Sequence, residues 1–191
     1  ARDALLQADP GETRYLIYTH CHPDHCGGAG QLVSDRTEAV IAHVLLPRLG
    51  DRDMVCLWPW HHRAGSWQTG NPVEAGGGYQ GGEGGRAFIE PTVVFDTTLD
   101  LDVGGLTLHL EHTEGETRDH LLVWIPELGT LLPGDLYYAA FPNLSSPAIG
   151  PRPIEAWIES IERFLELEPE HLVPSHTAPV SGRDRVRHVL T

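Results

Sequence analysis

Lysine is absent from this 191-residue sequence, and all 13 basic residues are arginine. A phosphate-loop lysine, a Schiff-base lysine and a serine–lysine dyad are therefore excluded. Basic charge is sparse beside 27 acidic residues, and the formal net charge is -14. Nucleic acid and anionic membrane surfaces would repel such a chain. Cysteine is scarce: Cys21, Cys26 and Cys56 are odd in number and lack CxxC spacing, which speaks against a disulfide framework. No apolar run approaches the ~18 residues that cross a bilayer. Glycine and histidine are plentiful, at 21 and 12 residues. With 40% hydrophobic and 21% charged residues, the chain can bury a core without cross-links.

The opening residues, 1–8, read as the end of a helix, so the chain reads as starting inside a domain, and Asp9-Pro10-Gly11 reads as a turn. Tyr15–Tyr18 and Ala39–Ala42 are short apolar runs that predict buried strands, with a helix after Gly27–Gly30 running through Leu32. Residues 50–87 differ in character: glycine is dense, with Trp58, Trp60, Trp67, His61 and His62 interspersed. That stretch predicts an insertion or lid loop. Its tryptophans fit either an apolar pocket or the loop's private core.

Val93–Phe95, Leu99–Val103 and Leu106–Leu110 alternate in the strand period, and Gly104-Gly105 supplies a hairpin turn. Leu121–Ile125 and Leu131-Leu132 bracket a second turn. Residues 153–168 predict an amphipathic helix with Ile154, Trp157, Ile158, Ile161, Phe164 and Leu165 on one stripe. Glu159 and Arg163 form an i, i+4 pair on it. His171–Pro174 predicts a last short strand.

The chemistry gathers at the ends of these strands. His20, His22, Asp24 and His25 place four metal-competent side chains in six residues just after the first strand. In extended backbone, residues two apart point the same way, so His20 and His22 can reach one metal together. Asp24 and His25 follow Pro23, where the chain turns, and suit a second metal. Imidazole and carboxylate donors suit zinc, iron or manganese. Further candidates end later strands: His112 to Thr117, then Asp135, then His176. Sites in α/β sheets collect outside the carboxyl ends of strands. Cys21, between two ligands, reads as a buried inert thiol. His112 and His120 read as outer partners of ligands or as polar surface.

The order HxHxDH, then Gly115-Glu116-Thr117, then Pro133-Gly134-Asp135, then Ser175-His176-Thr177 resembles the metallo-β-lactamase superfamily, more narrowly its alkyl sulfatase-like branch. The resemblance implies an α/β fold, the αββα sandwich, with its N-terminal strands missing. Residues 1–191 would form a single partial domain cut at both ends. It implies that His20, His22 and Glu116 bind one metal, that Asp24, His25 and His176 bind a second, and that Asp135 bridges them. Asp24 and Asp135 are then the candidate catalytic carboxylates. Asn143, Arg152 and Tyr137 would contact the substrate.

Two zinc ions per domain are expected, with iron and manganese open. The expected activity is hydrolysis of a small ester-like or anionic substrate, an alkyl sulfate ester first, by a hydroxide held between two metals. Thioester, lactone and β-lactam hydrolysis, or a non-catalytic metal-binding relative, are the alternatives, and iron–oxygen redox chemistry is a further class. No nucleic-acid or membrane partner is expected, and a full-length form would suit a homodimer.

Overall fold

The computed structural model describes residues 11–47, 88–142, 144 and 152–191. The helix expected over residues 1–8, the insertion expected over residues 50–87, and Asn143 lie outside the described residues. Contacts divide the chain into two units, residues 1–94 and 95–191.

The first unit is built on strands β1 (Tyr15–Ile17), β2 (Ala39–His43) and β3 (Val93–Phe95), hydrogen-bonded in that order. β1 and β2 run parallel, with Leu16 opposite Val40. The connection between them holds α1 (Pro23–Cys26), a single turn, and a 3-10 turn at Ala29–Gln31. These replace the longer helix expected through Leu32. Gly27, Gly28 and Gly30 explain the difference, since glycine gives up the most backbone freedom in a helix. Tyr18, Cys21, Cys26, Ala29, Val40, Ala42 and Leu46 are buried together with Leu16. The Tyr18 ring stacks on Phe88 at 5.5 Å, and its hydroxyl donates to the Ile89 carbonyl at 2.9 Å. Burial pushes the Tyr18 phenol above its ordinary pKa, so it remains a donor.

The second unit is a six-stranded sheet in sequence order: β4 (Thr98–Val103), β5 (Leu106–His112), β6 (Leu121–Ile125), β7 (Thr130–Leu132), β8 (His171–Leu172) and β9 (Val180–Ser181). β4 and β5 form the expected hairpin, Val103 facing Leu106, with Gly104 and Gly105 both at positive φ. Among the described strands of this sheet only β7 and β8 pair in parallel, across the crossover helix α2 (Ile154–Glu166). α3 (Arg183–Leu190) ends the chain and, with β9, has no counterpart in the sequence reading.

The α2 stripe is narrower than expected. Trp157 and Phe164 are buried with Leu122, Leu131, Leu136, Leu172, Val186 and Leu190, while Ile154 and Ile158 face solvent. The expected Glu159–Arg163 pair is replaced. Arg163 Nε and Nη2 reach the Glu111 carboxylate on β5 at 2.9 Å, and Nη1 reaches Glu166 at 3.1 Å. A planar guanidinium favours a carboxylate it can grip with two N–H groups over a single-point contact.

Candidate metal centre

In the first unit the backbone leaves β1 and presents four side chains within six residues. His20 is fully buried, and its Nε2 lies 3.0 Å from His22 Nδ1. The Thr19 hydroxyl lies 3.1 Å from His20 Nδ1, on the other side of the ring. Pro23 opens α1, and the His25 and Cys26 amides both donate to the His22 carbonyl, at 3.0 and 3.1 Å. That turn brings the His25 ring to 4.2 Å from the His20 ring and sets His25 Nε2 3.4 Å from Asp24 Oδ2. Hydrogen bonding to His25 holds the Asp24 carboxyl at a pKa of about 2, against the opposing effect of burial. His20 and His22 thus bring ring nitrogens to 3.0 Å of one another beyond the end of β1, and Asp24 pairs with His25.

The second unit holds Glu116, Asp135 and His176. Glu116 and Asp135 are buried, with one carboxylate oxygen of each within 4.8 Å of the other's. His176 Nε2 lies 3.3 Å from Asp135 Oδ2, and the half-exposed His176 ring stacks on Tyr138 at 6.2 Å. The Tyr138 hydroxyl donates to Asp135 Oδ2 at 2.9 Å. Burial first, then the charges of Glu116 and Asp135, push the Tyr138 phenol well above its ordinary pKa, which keeps the proton on the donor. Tyr137, expected at the substrate, packs against the hydrophobic core of this unit. Arg152, also expected at the substrate, donates from Nη2 to Glu116 Oε1. Both side chains are buried, and the guanidinium carbon lies 5.7 Å from the centre of the Trp157 ring.

His120 is a positioning residue that sequence reading leaves undecided. It is fully buried, and its Nε2 accepts the Asp135 backbone N–H at 3.2 Å. The other ring nitrogen then carries the proton and donates to the Thr113 hydroxyl at 3.1 Å. Thr113 closes the loop through its own amide, which donates to the His120 carbonyl at 2.9 Å. His112 serves the same loop, its Nε2 lying 2.9 Å from the Arg118 carbonyl. Gly115, beside Glu116, has φ +140, and a Cβ there would lie 2.7 Å from Leu136 Cδ2. No spacing in the sequence shows these roles, because each depends on a partner brought close by folding. The one local signal is a threonine and a histidine at the two ends of a short connection between strands.

The donors fit a divalent transition metal. One unit offers two imidazole nitrogens 3.0 Å apart. The other offers two buried carboxylates with a histidine beside them. Imidazole with carboxylate is the donor set of zinc, iron and manganese sites.

Two strand-end donor sets on an α/β scaffold define a class. Residues 1–176 match the Metallo-beta-lactamase superfamily, and the chain belongs to it. Within that superfamily it is similar to the linear primary-alkylsulfatase of Pseudomonas sp. (strain ATCC 19151), 26% identical over 198 residues, covering 92% of this chain and 36% of that one. It is also similar in structure to the stereoselective inverting sec-alkylsulfatase Pisa1 from Pseudomonas sp., with TM-score 0.79 and 23% identity, over 98% of this chain and 33% of that one. A metallo-β-lactamase family protein from Thermus thermophilus has TM-score 0.66 and 24% identity, over 100% of this chain and 65% of that one. These likenesses show the metallo-β-lactamase fold expected from the sequence. The chain spans about a third of the length of the alkylsulfatases it matches.

Proposed function

We propose that the protein is a binuclear metal-dependent hydrolase of a small ester-like substrate, with alkyl sulfate esters the first candidate. The observation that carries this reading is the buried pair Glu116 and Asp135. Glu116 already meets one cationic group, the Arg152 guanidinium, and two buried carboxylates within 4.8 Å of one another would favour further positive charge beside them. The grouping of ligands is the one the resemblance implies: His20, His22 and Glu116 for one ion, Asp24, His25 and His176 for the other, and Asp135 for both. Zinc is the ion proposed. Such a pair of ions supplies a water acidic enough to ionise near neutral pH and a Lewis acid for the scissile bond.

The protein's own residues would do the rest. Thr19 orients the His20 ring so that Nε2 faces His22. His120 fixes the Asp135 backbone and Tyr138 its carboxylate, so Asp135 would be held in place for a bound ion. Asp135 would serve as a metal ligand and not as a free base. Arg152 and Asn143 would meet the anionic part of the substrate, Arg152 because a guanidinium fork matches tetrahedral oxyanions. The likeness to two alkylsulfatases supports sulfate esters over other esters.

The test is a panel of alkyl sulfate, aryl ester, lactone and thioester, assayed with zinc-loaded protein and with Glu116→Ala. Alkyl sulfate should be the preferred substrate, and Glu116→Ala should lower every activity by at least about 10²-fold together with zinc content. Turnover of the panel by metal-stripped protein, or full activity of Glu116→Ala, would overturn the reading.

A further inference from the structure

We infer that Arg152 couples anion binding to metal binding: its guanidinium competes with a divalent cation for Glu116, so an oxyanion that captures Arg152 tightens the metal site. The inference rests on Glu116 being a cation ligand, as proposed above.

The Arg152 and Glu116 side chains are 6% and 2% exposed, so solvent screens the pair little. Arg152 Nη2 donates to Glu116 Oε1. The guanidinium rests over the Trp157 ring, and that ring is itself anchored, its Nε1–H donating to the Leu136 carbonyl at 3.1 Å. Arg152 is also held by its backbone, whose N–H donates to the Leu144 carbonyl at 3.0 Å. The side chain therefore has a fixed base and a flat platform, while its Nη2 reaches the Glu116 carboxylate.

A guanidinium is always charged. A dication held by Glu116 would share that buried carboxylate with the guanidinium, and the two like charges would repel. A tetrahedral oxyanion has the geometry and sign to take the guanidinium fork instead. The exchange turns one pair of opposite charges, Arg152 with Glu116, into two: Arg152 with the oxyanion and Glu116 with the metal. Linkage makes the effect reciprocal, so the metal strengthens oxyanion binding by the same factor. The ligand class is a small molecule bearing a tetrahedral oxyanion, and such a headgroup would raise the metal occupancy of its own site.

The experiment measures zinc affinity of the full chain by competition with a chromophoric chelator, in sodium sulfate and in sodium chloride of matched ionic strength. Sulfate should tighten zinc binding by a factor in the range of about 5 to 150. Arg152→Met should tighten zinc in chloride by a similar factor and should respond no further to sulfate. Equal zinc affinity in sulfate and chloride for the wild-type chain, with Glu116→Gln still weakening zinc, overturns the coupling and leaves the ligand assignment standing. Weaker zinc binding by a folded Arg152→Met also overturns it, since Arg152 would then only position Glu116. Unchanged zinc affinity in Glu116→Gln overturns the assignment of Glu116 and the coupling with it. If Arg152→Met does not fold by circular dichroism, the sulfate comparison on the wild-type chain decides alone.

Discussion

Gly115 shows how finely the neighbourhood of Glu116 is fitted. An added Cβ would stand 2.7 Å from Leu136 Cδ2 and 3.0 Å from the Trp157 backbone, and φ +140 disfavours any L side chain. Gly115→Ala should therefore lower stability by about 1–3 kcal/mol, read as a shifted midpoint in urea unfolding. An unchanged midpoint would mean that the loop and α2 are not packed as described. The same scale separates what is legible in the sequence from what is not. His20, His22, Asp24 and His25 stand within six residues, so their chemistry shows in the chain itself. His120, Thr19 and Tyr138 matter through partners fixed by the fold, and a histidine gives no sign along the chain that its ring will accept the Asp135 amide.

At the scale of elements, strand periodicity carries furthest where it has length to act. β4 and β5 have six and seven residues and a Gly-Gly turn, and both can be read directly. β8, within the short run His171–Pro174, shows as a strand by composition alone, whereas β9 has two residues, too few to display a period, and α3 buries Val186 and Leu190 from eight residues. α2 is legible as a helix but not in its contacts. A helix written alone pairs Glu159 with Arg163, whereas β5 supplies a strand-borne carboxylate in Glu111 that the arginine grips from two nitrogens. Two variants distinguish these pairings. Glu111→Gln should cost about 1 kcal/mol in chemical unfolding, the upper end for a partly exposed pair. Glu159→Gln should leave the midpoint unchanged. The reverse order would return the pairing to the helix.

For the molecule as a whole, the acidic balance and the buried donors point the same way. On the proposed ligand set, an ion that binds the native state alone stabilises this chain of net charge -14. Zinc at about 100 times its dissociation constant should add about 2.7 kcal/mol, seen as a raised Tm that a chelator reverses. A Tm indifferent to zinc would argue against a preformed site.

The most direct measurement is metal content. Purified chain, loaded with zinc and desalted, should hold two equivalents by mass spectrometry of the metal. His22→Ala and Glu116→Ala should each hold fewer, with their circular dichroism unchanged. Retention of no zinc by the wild-type chain, or of two equivalents by both variants, would contradict the assignment of these side chains to a binuclear centre.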